Sequence, residues 1–438
     1  MRIGLIAMSG VRVKTEELAK LGVTLPGFVN RGKVIASLPS LGLLVVAALT
    51  PGRHDVTYLE VADVRDVTDL PEFDLVGISS FTAQVYEAYE LADRYRARGT
   101  TVVIGGTHTT LCPDEVLEHA DAIVCGGAEG VWPALLEDVE RGTLKRRYRG
   151  ANRGFYSQGT PVMPRFDLLE GRVYNRLTIQ TSRGCPLDCD FCAASKIFTP
   201  AFEQKPVTAI QRELDEVVSR FDRPFIEFAD DNTFVSRAWS KEFLPMLGHF
   251  DLRWFTETDI RVADDSDLLK MLYDAGCYQV LIGLESPRAS SLDGLERHNW
   301  KAKRRGQYLQ AIDRLQSAGV TVNGCFILGL DSDTPNSFAE VRDFVRESGL
   351  LEVQVTALTP FPGTRLYERL KAEGRLLQDT YWDRCTLFDV NFRPAHMTVD
   401  ELEAGLRWLF RELYTEDVMR ERRRRYVNLI KALGEPVS

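Results

Sequence analysis

The sequence predicts an α/β protein in three parts: a doubly wound parallel sheet, a partial barrel of six β/α units, and a small, mostly helical C-terminal region. Three observations carry this expectation. Short apolar runs of strand length alternate with helical patterns up to about residue 140; a second alternating series begins at residue 177; and helical periodicity takes over from residue 366. The expected boundaries are 1–145, a linker over 146–176, 177–365 and 366–438.

In the first series the strand-like runs are 2–7 (RIGLIA), 56–60, 75–79, 101–105 and 122–125. A buried helix over 39–49 with Pro39 at its start and an amphipathic helix over 83–98 lie between them. An open parallel sheet takes its ligand beyond the strand C-terminal ends. That rule singles out Ser79, Ser80, Thr82, Gly105, Gly106, Thr107 and His108. A polar stretch near 145–160 (KRRYRGANRGFYSQGT) reads as linker. The second series runs through strands at 177–180, 225–228, 254–258, 279–283, 321–327 and 353–357, with helices over 207–220, 265–275, 303–318 and 337–348 between them. Six units are too few to close an eight-stranded barrel.

Composition bounds the function. With 438 residues, 44% hydrophobic, the chain has ample material for large cores, which argues against disorder. It lacks an apolar run long enough to span a bilayer, and its start (MRIGLIAMSGVRVK) is unlike a secretory leader, so a cytoplasmic protein without a membrane span is expected. A formal charge of -9 argues against a nucleic-acid surface and suits a cationic substrate. The basic run 422–425 reads as a solvated helix face.

The chemistry concentrates in TSRGCPLDCDFCAAS, which begins at Thr181. Cys185, Cys189 and Cys192 stand as C-x3-C-x2-C on the loop after the first strand of the second series. Three thiolates on one loop can hold three irons of a [4Fe-4S] cluster and leave the fourth iron open to a ligand. A structural zinc ion wants a fourth ligand, and the nearest histidine, His249, lies far along the chain; a redox pair needs only two cysteines. Both stand as rival readings. Cysteines 112, 125, 277, 325 and 385 are scattered singly and read as small buried hydrophobes.

This spacing, with Phe191 before the last cysteine, resembles the radical S-adenosylmethionine (SAM) superfamily, whose core is a partial barrel. The resemblance implies a [4Fe-4S] cluster on Cys185, Cys189 and Cys192, with Phe191 against the cofactor. It also implies SAM bound at the open iron and cleaved by one electron to a 5'-deoxyadenosyl radical. The electron comes from an external reductant such as a flavodoxin or ferredoxin. In FADDNTF, Asp230 or Asp231 falls where the superfamily contacts the SAM amino group, the rival being a helix cap. In GLES, Glu285 and Ser286 fall where the SAM ribose is held. TETDIR places Glu257, Asp259 and Arg261 at alternate positions, with Arg261 toward the cofactor. Glu257, Asp259 and Asp231 are the acid/base candidates. TPFPGT, from Thr359, resembles the last-strand turn near the adenine.

The first 145 residues resemble the B12-binding domains fused to many radical SAM enzymes, in PSLGLLVVAAL, DLVGISSFTAQ, VVIGGTHTT and ADAIVCGGAEGVW. The Asp-x-His-x-x-Gly pattern that supplies a cobalt-ligating histidine elsewhere is absent, which leaves open whether cobalamin binds. His108 reads as a turn residue rather than as a cobalt ligand, and residues 10–37 as a cover for the sheet edge or for corrin space. The architecture is similar to the radical SAM diol dehydratases of aminoglycoside biosynthesis. It implies dehydration of a small amino-sugar diol, with a dehydrogenase as a partner acting on the product. Cobalamin-dependent methylation is the alternative.

Overall fold

The computed structural model describes residues 1–20, 38–156, 161–194 and 202–432. Most of residues 10–37, the expected cover, lies outside them. Strands β1 (Arg2–Met8), β2 (Asp55–Val61), β3 (Leu75–Ser79), β4 (Thr101–Gly105), β5 (Ala122–Cys125) and β6 (Arg147–Arg149) form one parallel sheet in the order β2-β1-β3-β4-β5-β6. The order reverses between β1 and β3, which opens a crevice at their C-terminal ends. β6 comes from the stretch read as linker. Its Arg-Tyr-Arg sequence buries only the central Tyr148, and flanking charges are how an edge strand is normally protected, so no apolar run announced it.

The second sheet is built from β7 (Leu177–Ile179), β10 (Ile226–Phe228), β11 (Trp254–Thr258), β12 (Cys277–Glu285), β13 (Thr321–Leu328) and β14 (Glu352–Ala357), all parallel and in chain order. The short strands β8 (Ser182–Arg183) and β9 (Glu203–Gln204) pair antiparallel beside it. The register sets Glu227 beside Phe255 and Phe255 beside Gln279, then Glu257 beside Leu281 and Leu281 beside Asn323. These residues share the concave face. Phe228 and Trp254 face the helices, where Phe228 meets Phe243 edge-on at 5.3 Å.

One continuous apolar core joins the two sheets, running from Leu5, Leu44 and Trp132 through Phe166 and Leu169 to Ile179 and Ile226. The other face of the first sheet forms a second core, closed by Tyr381, Trp382 and Cys385 from the C-terminal region. Helices Val399–Leu413 and Glu416–Ala432 end the chain. The basic run on the last helix is not wholly solvated, because Arg422 turns inward beside Glu352 and Tyr414 while Arg423 and Arg424 stay exposed.

Gly276 sets the entry to β12. Its φ is +82°, and a Cβ there would lie 2.1 Å from the Leu252 carbonyl oxygen. Gly142 has a similar φ of +70° and open space around it. Gly276→Ala is therefore expected to destabilise the chain by about 2 kcal/mol more than Gly142→Ala, read as the difference in their melting temperatures.

Candidate functional site

The loop that carries the three cysteines leaves β7 and is held by a single carboxylate. Asp230 is 4% exposed and accepts hydrogen bonds from the Thr181 amide (2.7 Å), the Ser182 amide (2.8 Å), the Thr233 hydroxyl (2.9 Å) and the Thr181 hydroxyl. Burial pushes its pKa up, and those donors oppose the shift. Its oxygens are thus spent on the loop, so of the aspartate pair Asp231 is the one left facing the barrel mouth. Asp231 touches solvent but is ringed by protein. That desolvation, with Asp230 behind it, raises its pKa to about 6 against the pull of the Gly184 amide.

Cys185, Cys189 and Cys192 form no disulfide. The Asn232 amide lies 3.9 Å from the Cys185 Sγ, and burial raises the Cys189 thiol to about 12, with the other two thiols adding to the shift. Cys189 thus feels both other thiols, and a cationic centre would be needed to hold it ionised in that buried place. Among the described residues no three His, Cys, Asp or Glu side chains converge on a single ion. Three cysteines on one loop are the donor set of a cluster in which each would hold its own metal atom. Cys189 bridges to Glu296, and the Asp190 amide donates to the Leu295 carbonyl at 3.0 Å. The helix that follows the TPFPGT turn packs its first residues on the same loop: the Leu366 amide donates to the Asp190 carbonyl at 3.0 Å, and Arg365 pairs with Asp188 at 2.8 Å. Phe191 is half-buried against the main core.

Glu285 stands at a register shift in β12 with φ +60°, a strained conformation for a non-glycine residue. It pairs with Lys301 at 2.5 Å, and a Cβ at Gly283 would lie 2.4 Å from its Oε1, so Gly283 makes the room it occupies. Burial opposes charge on Lys301, but Glu285 holds it protonated. The Ser286 hydroxyl accepts from the Arg288 amide at 3.1 Å.

TETDIR differs from its expected alternation. β11 ends at Thr258, and Asp259 caps a 3-10 turn, Ile260–Asp264, that contains Arg261. Asp259 and Arg261 form an ion pair at 2.5 Å that Asn232 joins at 2.8 Å. Although burial opposes it, these contacts hold Asp259 below the usual carboxylate range, which removes it as a proton donor near neutral pH. Glu257 does face the concave side. Burial, with Asp231 and Glu227 nearby, raises it to about 8. Glu227 is itself paired with Arg176 at 2.8 Å.

A cavity of about 580 Å³ lies between the first sheet and this loop. Its floor is Leu5, Gly77, Val103 and Val124; its rim includes Ser79, Gly105, Gly106, Thr107 and the turn 126–130; and Tyr156, Gln180, Arg183, Lys205 and Ala229 close the opposite wall. A Cβ at Gly42 or Gly130 would meet nothing within 4 Å, and one at Gly105 only ordinary contacts, so these backbones stand back from open space. Three expected ligands do not reach it. The Ser80 hydroxyl donates to the Phe81 carbonyl at 2.7 Å, and Thr82 is buried at the start of a 3-10 turn. His108 points to the far side of the sheet, with Nε2 3.7 Å from Glu115 and the ring edge-on to Trp382 at 5.6 Å. Sequence reasoning also missed Arg183. It pairs with Glu129 at 2.6 Å, stacks 4.2 Å over Phe155 and donates to Gln180 at 2.8 Å, tying the cysteine loop to the glycine-rich turn of the first sheet. Its place two residues before Cys185 was a signal; the partner, on another sheet, had none.

Comparison with known proteins bears on these sites. The B12 binding domain model matches residues 29–136, the Radical SAM superfamily model 179–345, and a domain of unknown function (DUF4070) 364–437. A bacteriochlorophyllide d C-8(2)-methyltransferase of Chlorobaculum tepidum is 28% identical over 78% of this chain and 78% of its own length. A hopanoid C-2 methylase of Rhodopseudomonas palustris is 27% identical over 79% and 67%. The structure of the radical SAM methyltransferase TsrM from Kitasatospora setae, with cobalamin and a [4Fe-4S] cluster bound, superposes with a TM-score of 0.66 at 16% identity, covering 97% of this chain and 99% of that one. These relatives overturn the expectation of an amino-sugar dehydratase, which rested on architecture shared equally by methyltransferases. The chain thus carries a B12-binding domain over residues 29–136 and a radical SAM domain over residues 179–345, the latter with a [4Fe-4S] cluster and SAM as its cofactors.

Proposed function

We propose that the chain is a cobalamin-dependent radical SAM methyltransferase acting on a small molecule. The observation that carries this reading is the cavity whose one wall is the glycine-rich edge of the B12-binding sheet and whose other wall, at Gln180 and Arg183, is the cysteine loop itself. A depth of apolar floor under a glycine rim suits a large flat cofactor with a tail. Among the described residues no histidine lines the cavity, so none of them would offer an imidazole to a cobalt ion held there. When bound, cobalamin supplies a methyl carrier, and the cluster with SAM supplies one-electron chemistry.

The chain's own residues hold and orient. Cys185, Cys189 and Cys192 would hold the cluster. Asp230 fixes the loop, and the Arg183–Glu129 pair fixes its distance from the cofactor rim. Asp231 is placed to accept from an amine, and Glu285 with Ser286 to meet a ribose. Glu257 keeps a proton on its carboxyl at neutral pH and can donate it as a hydrogen bond into the barrel mouth.

Anaerobic reconstitution with hydroxocobalamin, Ti(III) citrate to supply the two electrons that take it to cob(I)alamin, and SAM bearing a deuterated methyl group tests the reading. The expected outcome is about one cobalamin per chain, with deuterium recovered on the cobalamin and S-adenosylhomocysteine as co-product. Cobalamin that washes away, or label confined to SAM, sinks it. Cys189→Ala is expected to remove most of the iron, and Gly105→Val to weaken cobalamin binding at least about tenfold with iron content unchanged, since the added methyls enter the cavity.

Glu257 adds a pH signature. Between its ordinary value and about 8 the folded chain holds a proton that the unfolded chain has lost, so stability falls as pH rises through that window. Glu257→Gln removes the penalty. Melting curves should show the variant gaining on wild type at about pH 8.5 and not at about pH 5; equal differences at both would contradict the burial of this carboxyl.

A further inference from the structure

The cysteine loop has two sides, and methyl transfer uses only one. The inner side meets Asn232, Asp231 and the cavity wall. On the outer side, an open cleft of about 690 Å³ lies directly behind Cys189, between its neighbours Asp188 and Asp190 and the segment that begins at Arg297. That segment, RHNWKAKRR over 297–305, contains cations and no acid. Glu296 fastens it to the loop: it bridges to Cys189 and caps the next helix through the His298 amide (2.8 Å) and the Trp300 amide.

Most of these cations are committed. Lys301 pairs with Glu285, Arg304 with Asp264 at 2.6 Å, and Arg305 donates to the Pro287 carbonyl. Arg297 and Lys303 project from the cleft, both exposed. No carboxylate pairs with either among the described residues, and Lys303 reaches only the His298 carbonyl at 2.9 Å. The acids that line the cleft are spent, Asp188 on Arg365 at 2.8 Å, Asp190 on Arg369 at 3.7 Å and Glu296 on backbone amides, so Arg297 and Lys303 are its uncompensated charges, and on a chain of net charge -9 they are where an acidic partner gains attraction. With a screening length of about 8–10 Å in cellular salt, the local patch decides orientation.

We infer that this cleft, with Arg297 and Lys303 at its rim, is the docking surface for a small acidic one-electron carrier protein of the flavin or iron–sulfur class, which delivers its electron to the cluster past Cys189. The inference rests on the reading of Cys185, Cys189 and Cys192 as cluster ligands. One electron leaves the carrier, which is oxidised by one equivalent, and enters the cluster, which is reduced by one; no atom is transferred. Reductant and SAM thus approach from opposite sides of one loop and need not compete for space.

The test compares two electron sources on the reconstituted full-length protein, with SAM consumption as the readout. One source is flavodoxin with its reductase and NADPH; the other is Ti(III) citrate, a small reductant that needs no docking surface. R297E/K303E is expected to lose about tenfold or more of the flavodoxin-driven rate at low salt while staying within about twofold of wild type with Ti(III) citrate. The wild-type flavodoxin-driven rate should itself fall as salt rises. R423E/R424E makes the same change in net charge on the exposed face of the last helix and should keep the flavodoxin-driven rate. Iron and sulfide contents are matched first, and R297Q/K303Q, expected to lose about threefold, replaces the reversal if the cluster loads poorly.

The inference is overturned by an unchanged flavodoxin-driven rate in both variants, by an equal loss with both reductants, by an equal loss in R423E/R424E, or by a wild-type chain that responds to Ti(III) citrate and not to flavodoxin. A wild-type chain that consumes no SAM with either source overturns the cluster reading beneath it.

Discussion

A buried carboxylate held by amides and hydroxyls, with no cationic partner among the described residues, organises this molecule. Asp230 takes donors from Thr181, Ser182 and Thr233, and leaving such a charge unsatisfied in the interior would cost several kcal/mol. The backbone of residues 181 and 182 therefore has little choice of path. From that fixed start, Gly184 turns the chain at φ +78° and the three cysteines follow. Arg183 is sent the other way, to Glu129 on the first sheet. One clasp thus sets the cysteine loop, the wall of the cavity and the contact between the two sheets.

The acids around the barrel mouth divide by whether a cation reaches them. Asp259 has Arg261, Glu227 has Arg176 and Glu285 has Lys301. Glu257 and Asp231 have no ion-pair partner among the described residues, and their pKa values rise to about 8 and about 6, at Glu257 against the pull of Arg176. Of these acids, the ones left without an ion-pair partner are thus the ones shifted toward neutral pH. The paired ones serve as fixed geometry.

Much of this was legible in the sequence, because local rules govern it. Apolar runs of strand length gave eleven of the strands in the two large sheets, since buried parallel strands are continuous Val, Ile and Leu runs; β6 escaped because an edge strand buries one side chain in three. The cysteine spacing singled out the loop whose first residues wall the cavity. What failed depended on contacts distant in sequence. Asp230 looked like a ligand until its donors, about fifty residues earlier, were in place. The Asp259–Arg261 pair looked like a strand face because nothing local marks the end of β11 at Thr258. His108 sat in the right turn, but Glu115 and Trp382 draw it to the other side of the sheet. The reaction outcome was the least legible part, since dehydration and methylation can share one scaffold.

The central claim is that a cobalamin cavity and a cluster loop share one wall within a single chain. Low-temperature EPR of protein loaded with both groups tests it most directly, by comparing the cob(II)alamin signal before and after one-electron reduction of the cluster. Shared-wall geometry predicts dipolar broadening of the cob(II)alamin lines on reduction, lost in Cys189→Ala. Two superimposed, uncoupled spectra from fully loaded protein would contradict it.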